Sequence, residues 1–241
     1  ECLNYEIEGG RFKKGGKIMN FDVEKFQAPL LKISGWVDQN KILQAIKNAF
    51  IRTIPFTVVG SFANLIKMEL DALIKSKHLH NFFLTGISNL FGYLGTATLG
   101  IVAIIVVLSS SYSYAVELSR DERYSKMKPI TATLLALSSY FVMVPNSVNY
   151  LTPKAKVIQG FSNDFFGYGG MFTGLIVGML SVWLFAKLSR SKFTIKMPAS
   201  VPPNVFDAFY SLIPMAEILL LFGMIRLGIE ALGFPSIVQL I

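Results

Sequence analysis

The sequence predicts an all-α integral membrane protein with about five transmembrane helices, amphipathic interfacial helices and a short β-hairpin within residues 151–168. Hydrophobic residues make up 52% of the 241 residues and charged residues only 16%, against roughly a quarter in soluble domains. The apolar residues form long runs separated by short polar connections. The basic residues, which produce a formal net charge of +8, lie in the loops beside these runs, which favours a membrane protein over a nucleic-acid-binding one.

Five runs are long enough to cross about 30 Å of hydrocarbon, because a helix rises about 1.5 Å per residue. They comprise residues 42–66, 90–116, 129–150, 169–188 and 205–229. Pro55 and Pro214 lie inside the first and last runs and predict kinks or breaks there. Pro129 suits the first turn of the third helix, where no amide donor is needed.

The first 44 residues divide into two segments. Residues 1–18 contain two glycine pairs and scattered charges, which predicts a disordered or non-native leader. Two interpretations stay open: the native protein starts at Met19 and the leader is translated upstream sequence, or the segment is a genuine tail. Residues 19–44 are amphipathic, so they can lie on the membrane surface or pack against a neighbouring soluble subunit.

The loop charges predict the orientation of the spans. The connections at 119–128 and 187–196 each hold four Lys or Arg residues, whereas those at 67–89 and 151–168 hold three and two. Because cytoplasmic loops carry the excess of Lys and Arg, we expect the N-terminus and the two richer loops to be cytoplasmic.

Three groups of residues are candidates for a structural or functional role. Gly170, Gly174 and Gly178 are spaced four apart, so they share one helix face, either for close helix packing or as a neutral run that a transmembrane helix tolerates. Glu217 lies near the middle of the fifth span, where a charge is costly; it either lines an interface or is protonated. Arg226 lies nearer the end of that span, four residues before Glu230, so the two can pair.

No enzyme chemistry is visible in the sequence, and no cofactor or metal is predicted. The chain lacks a phosphate-binding glycine loop, a nucleophile with its base and a metal-ligand cluster. Cys2 is the single cysteine, so it forms no internal disulfide. His78 and His80 could bind zinc as a pair, but ordinary surface histidines are the simpler interpretation without a third ligand.

Two segments resemble the lactose/cellobiose/diacetylchitobiose family of phosphotransferase-system sugar permeases, the EIIC components. Residues 193–214 read FTIKMPASVPPNVFDAFYSLIP, and residues 46–62 read IKNAFIRTIPFTVVGSF. The first contains the family's KMPxSVPP run before a helix with LIP, and the second is similar to the family's first span. The resemblance extends over residues 19–241.

The resemblance implies a fold of about ten spans in two parts, of which this chain matches the N-terminal half. In the family, the first half is a dimerising scaffold, and the second holds the sugar site with an Asn-x-x-Glu-Pro motif that is missing here. The implied domains are a scaffold at 45–188, an amphipathic linker at 189–204, and a fifth span with the truncated start of the transport domain at 205–241. The linker or hinge residues would be Lys196, Pro198, Pro202 and Pro203.

The resemblance also implies the function and the partners. The expected protein is a membrane permease component that imports a β-linked disaccharide, with phosphorylation by a IIB partner that is supplied by IIA. It is a transporter subunit rather than an enzyme, a homodimer in the bacterial cytoplasmic membrane, and inactive alone if truncated. The loop at 119–128 could contribute to IIB docking. The alternative is a dimeric membrane scaffold that does not transport.

Overall fold

The structure is a computed structural model. It describes residues 7–8, 11–14, 17–18, 35–36, 39–76, 82–124, 127–145, 147–148, 158–159, 161, 163–190 and 203–233. The chain divides into two units, Glu1–Asn40 and Lys41–Ile241.

The first unit contains three short antiparallel strands, β1 (Ile7–Glu8), β2 (Arg11–Lys14) and β3 (Lys17–Ile18), in the order β1-β2-β3. Glu8 pairs with Arg11, and Lys14 with Lys17. In the sequence, a glycine pair separates each strand from the next, and such two-residue connections suit β-hairpins. The prediction of disorder is therefore wrong for these eight residues. That residues 1–18 are a non-native leader stays a prediction.

The second unit is helical, which confirms the predicted all-α membrane class. Its helices are α1 (Lys41–Ser76), α2 (Phe82–Thr98), α3 (Val102–Ser119), α4 (Pro129–Met143), α5 (Asn163–Phe166), α6 (Tyr168–Leu188) and α7 (Pro203–Ala231). Short 3₁₀ turns lie at Leu99–Ile101 and Glu122–Tyr124. In the described residues, four helical segments are long and apolar enough to cross a membrane: Lys41–Ser76, Phe82–Ser119, Tyr168–Leu188 and Ser211–Ala231.

The predicted second span and the connection before it differ from the structure. α1 runs to Ser76 without ending at Pro55, so the polar connection predicted at 67–89 is wrong over its first ten residues. The span predicted at 90–116 comprises two helices, α2 and α3, joined through the 3₁₀ turn. Within this stretch Lys67 and Asp71 form an i,i+4 pair at 2.5 Å, which adds a small stabilisation to the helix.

The third span, predicted at 129–150 with an early or distorted end at Pro145-Asn146, does end early in the structure. α4 ends at Met143 rather than at residue 150, and Val144 adopts an extended conformation with φ −84° and ψ 131°. Val144 precedes Pro145, whose ring disfavours helical geometry in the preceding residue. The 15 residues of α4 extend about 22 Å at 1.5 Å per residue, less than the thickness of a typical hydrocarbon core.

A short β-hairpin follows α4, as predicted, but it begins earlier in the chain. Strands β4 (Ser147–Val148) and β5 (Ile158–Gln159) are antiparallel, with Val148 opposite Ile158. The first strand therefore precedes the predicted range of 151–168, and the last residues of that range belong to α5 and the start of α6.

Helix α3 is the central helix of the bundle. Ten of its 18 residues are buried, and it packs against α1, α4 and α6. Two of its buried serines, Ser110 and Ser111, donate hydrogen bonds within the helix, both to the Val107 carbonyl, from Ser111 Oγ at 2.5 Å. Because these hydroxyls are satisfied locally, small polar residues let the helices approach closely with little cost. Helix α7 packs mainly on α4.

The second half of α1 (residues 54–76) and α2 pack against each other and form what we term the distal arm. Gly60 and Gly95 lie at their contact: a Cβ at Gly60 would lie 2.6 Å from Leu99 Cγ, and Gly95 is in contact with Asn64. The Ser88 hydroxyl donates to the Asp71 carboxylate, which joins the two helices. The arm also exposes many large apolar side chains, including Phe56, Phe62, Leu65, Met68, Phe82, Phe83 and Tyr93.

Candidate functional site

One end of the bundle brings together three segments that are distant in sequence. Lys41 Nζ, at the start of α1, lies 3.9 Å from Asp121 Oδ2 in the connection between α3 and α4. The Arg190 guanidinium, just after α6, lies 5.4 Å from the centre of the Tyr124 ring. Among the described residues of this end, Lys41, Arg120, Arg123, Lys128, Lys187 and Arg190 are basic, and we call it the basic end.

The connection between α3 and α4 is ordered by Asp121. Arg123 donates from Nε to Asp121 Oδ1 at 3.0 Å and from Nη2 to Oδ2 at 2.6 Å, and its backbone N–H donates to Oδ1 at 3.1 Å. The side-chain bonds from Arg123, followed by the backbone bond, hold the pKa of Asp121 well below its usual value of 3.8. The interaction is therefore complete at neutral pH, and it is lost only as the pH falls below 3.8 towards the folded-state pKa.

At the basic end, Arg120 and Arg123 are exposed and the carboxylates that pair with them are largely buried, whereas Glu122 is exposed. The side chains of Arg120 and Arg123 are 69% and 65% exposed, whereas those of their partners Glu117 and Asp121 are 12% and 19% exposed. Exposed ion pairs of this kind contribute little to stability. Their orientation instead gives the surface a positive potential, which suits an acidic protein surface or anionic lipid.

The three glycines of the predicted stripe lie on the face of α6 that meets α3 and α4. A Cβ at Gly174 would lie 2.6 Å from Val107 Cγ2, closer than any side chain can accept without movement. A Cβ at Gly178 would lie at an ordinary 3.5 Å from the Val107 carbonyl. The structure thus places the stripe at a close helix approach, and its contribution to packing stays a prediction that substitutions can measure.

Gly170 lies beside a buried tyrosine that the sequence reasoning missed. The Tyr140 hydroxyl donates to the carbonyl of Phe165, and it lies 3.4 Å from the carbonyl of Gly170. Tyr140 is fully buried, so its hydroxyl joins α4 to the turn between α5 and α6 inside the bundle. The sequence offered one indication of this role: Tyr140 lies in an apolar run, and a tyrosine hydroxyl that is buried usually has a hydrogen-bond partner.

Arg226 of α7 binds the end of α4, opposite the basic end. Its Nη1 donates to the carbonyls of Val142 at 2.9 Å and Val144 at 3.1 Å, and its Nε donates to Glu230 Oε1 at 2.8 Å. Arg226 therefore pairs with Glu230, as the sequence spacing indicated. It also binds the carbonyls of α4, which the sequence spacing did not indicate. The last carbonyls of a helix have no partner within it, so this cation caps α4.

Several residues that the sequence analysis singled out do not take part in the basic end, the glycine contacts or the cap on α4. Glu217 is exposed on α7 and forms no ion pair within the described part of the chain, so its role stays a prediction. Pro203 begins α7, whereas Lys196, Pro198 and Pro202 lie outside the described residues, as do Cys2, His78 and His80. No group of three potential metal ligands occurs among the residues that the structure describes.

Comparison with known proteins assigns the family. The model of the phosphotransferase system EIIC family matches residues 47–239, which is well over half of the chain. The chain belongs to the EIIC family. The sequence resemblance is thereby confirmed, and the four long apolar helices make this EIIC chain a multi-pass membrane protein.

Individual EIIC components show the same relationship. The oligo-β-mannoside-specific EIIC component of Bacillus subtilis (strain 168) is 31% identical over 207 residues, covering 84% of this chain and 43% of the relative. The cellobiose-specific EIIC component of Geobacillus stearothermophilus is 26% identical, covering 86% of this chain and 45% of the relative. The chain therefore spans about half the length of the relatives it matches.

A solved structure extends the comparison to three dimensions. The crystal structure of the transporter ChbC, the IIC component from the N,N'-diacetylchitobiose-specific phosphotransferase system, matches with a TM-score of 0.74 and 27% identity. The match covers 91% of this EIIC chain and 49% of ChbC. The helical arrangement described above is therefore similar to part of a phosphotransferase-system transporter.

Proposed function

We propose that this chain forms the scaffold half of a permease that imports a β-linked oligosaccharide. The match to ChbC over 91% of the chain carries the proposal. The names of the relatives specify oligo-β-mannoside, cellobiose and N,N'-diacetylchitobiose, which all contain β-linked sugar units. The sugar would be phosphorylated by a IIB partner, which receives its phosphoryl group from IIA. This chain would then supply a membrane framework rather than catalytic residues.

A chimaera tests this function. The matching half of the B. subtilis oligo-β-mannoside EIIC component is replaced by this chain, and the chimaera is expressed in a strain that lacks its own permease for the sugar. We expect the chimaera to restore uptake to within about tenfold of the intact relative, because helix bundles tolerate sequence change when their packing pattern is kept. The relative's remaining half, expressed alone, is the control.

The result also distinguishes the alternative function. A chimaera that reaches the membrane in normal amounts but transports nothing would contradict the permease scaffold. That outcome would favour the dimeric scaffold without transport.

We further propose that the basic end faces the cytoplasm and forms part of the IIB docking surface. The support is the contact between the start of α1, the Asp121 turn and the end of α6, which brings the described parts of the two most basic predicted loops to one end. An excess of Lys and Arg is typical of cytoplasmic loops. The exposed Arg120 and Arg123 would meet acidic groups of the partner.

The distal arm supports a proposal of homodimerisation. Phe62 is 63% exposed, Leu65 is 54% exposed and Val58 is 46% exposed, and these side chains line a shallow cavity of about 210 Å³ on α1. Helix α1 has 36 residues, which extend about 54 Å at 1.5 Å per residue, well beyond a hydrocarbon core of about 30 Å. Beyond the span predicted at 42–66, the tip of the arm exposes Met68 (63%), Phe82 (94%) and Phe83 (71%), and apolar side chains that project beyond the hydrocarbon core favour a protein partner.

Cross-linking tests the dimer. In a Cys2→Ser background, Phe62→Cys should form a disulfide-linked dimer in native membranes under mild oxidation. Ile130→Cys, which is similarly exposed at 58% but lies on α4, is the matched control and should remain monomeric. Equal cross-linking of both variants, or none at several positions of the arm, would contradict a dimer through this surface.

A further inference from the structure

An apolar groove lies between the start of α1, α3 and α6, beside the basic end. Its volume is about 440 Å³, within the range of roughly 300–1,000 Å³ that small-molecule pockets occupy. Its lining consists of aliphatic and aromatic side chains, and the tyrosine contributes the single hydroxyl: Ile42, Tyr114, Ile176, Met179, Leu180 and Trp183. A groove of this composition suits a hydrocarbon chain better than a sugar or a nucleotide, which need several hydrogen-bonding partners.

Cations lie at one end of the groove. The Lys187 ammonium is 4.8 Å from the centre of the Trp183 ring, and Lys41 adjoins Ile42, so both lysines stand beside lining residues. Lys41 lies 3.9 Å from Asp121, which neutralises part of its charge. Lys187 forms no salt bridge with any carboxylate in the described part of the chain, so its charge is available to an external anion.

The lysines beside the groove indicate what kind of molecule it binds. A second copy of the chain, docked symmetrically on this groove, would bring Lys41 and Lys187 towards the same cations of its partner, which is unfavourable. A zwitterionic phospholipid also carries a phosphate, but its headgroup ammonium offsets that charge and would be repelled by Lys41 and Lys187. An anionic phospholipid supplies an acyl chain and a phosphate with no compensating cation, and basic residues beside apolar surface at a membrane interface attract such lipids.

We propose that this groove binds one acyl chain of an anionic phospholipid, whose phosphate pairs with Lys187. Trp183 would lie between the two parts of the lipid, where aromatic residues with a polar edge are favoured at membrane interfaces. The lipid would fill the space between α1 and α6 and would tie the start of α1 to the bundle. Lys187 also belongs to the basic end, so lipid binding is tested in the purified protein without IIB and without sugar.

Quenching of Trp183 fluorescence tests the site. The chain contains two tryptophans, so a Trp36→Phe background leaves Trp183 as the single fluorophore. Brominated phosphatidylglycerol and brominated phosphatidylcholine are titrated into the purified protein in detergent. We expect phosphatidylglycerol to reach half-maximal quenching at about fivefold lower mole fraction, because one basic residue near the surface contributes roughly that factor in affinity for anionic lipid.

The variants separate a specific site from general lipid contact. Lys187→Gln should abolish the preference, and Lys187→Arg, which keeps the charge, should retain it. Lys75→Gln, which removes a lysine from the opposite end of α1, is the matched control and should also retain the preference. Equal quenching by both lipids in the parent protein would overturn the proposal, as would a preference that survives Lys187→Gln.

Discussion

Gly170→Ala is expected to lower the melting temperature of the purified protein by about 6–12 °C. Overpacking a tight core costs typically 1–3 kcal/mol; the upper value of about 3 kcal/mol, at about 2–4 °C per kcal/mol in a protein of this size, gives this range. The added Cβ would collide with the carbonyl group of Phe165 and with the Tyr140 hydroxyl. The carbonyl belongs to the backbone and the hydroxyl is held by a hydrogen bond, so neither can move away cheaply.

Two substitutions on the same helix face calibrate this result. Gly178→Ala should be tolerated within about 2 °C, because its Cβ would make only ordinary contacts, the nearest at 3.5 Å. Gly174→Ala should fall between the two, because Val107 Cγ2 at 2.6 Å belongs to a side chain that can shift slightly. Melting in detergent, followed by the loss of the monodisperse size-exclusion peak, measures all three. Equal melting temperatures for the three variants would show that the stripe does not set helix packing.

Arg226→Leu is expected to destabilise the contact between α7 and α4 by about 2–4 kcal/mol. The substitution leaves the carbonyls of Val142 and Val144 without their donor, and unsatisfied buried groups cost roughly 1–3 kcal/mol each. Val144 is only 1% exposed, so water cannot easily replace the guanidinium. A lower melting temperature, together with faster proteolysis after α4, would show the loss. Proteolysis and melting at wild-type values would contradict the capping role.

Glu230→Gln is the matched control for Arg226→Leu. It removes the ion pair at 2.8 Å but keeps the bonds to the α4 carbonyls. The Glu230 side chain is 41% exposed, and pairs of this kind contribute about 1 kcal/mol or less. We therefore expect a small effect. A loss as large as that of Arg226→Leu would assign the stabilisation to the ion pair and not to the cap.

The membrane class and most helices could be predicted from the sequence, because long apolar runs have few alternatives to a helix that crosses lipid. The ends of the helices were less predictable from the sequence. Residues 67–76 are polar enough to resemble a loop, yet α1 continues through them, with Lys67 and Asp71 paired along the helix and Ser88 of α2 bonded to Asp71. The early end of α4 was predictable from Pro145, since the preceding residue avoids helical geometry.

The basic end was partly predictable, because loop composition alone placed its cations on one side of the membrane. Its orientation of outward arginines and inward partner carboxylates was not, since it depends on the turn in which Arg123 folds back on Asp121. The cap on α4 was equally unpredictable from the sequence. Arg226 and Val142 are 84 residues apart in sequence, and only tertiary packing brings a guanidinium to those carbonyls.

Labelling of single cysteines from either side of the membrane tests most directly whether the bundle crosses it with the basic end inside. In a Cys2→Ser background, Arg120→Cys and Tyr168→Cys place a thiol at exposed positions at the two opposite ends of the bundle. A membrane-impermeant maleimide should label Tyr168→Cys in intact cells and Arg120→Cys only in inverted vesicles. Labelling of Arg120→Cys in intact cells, or of both variants from the same side, would contradict the proposed arrangement.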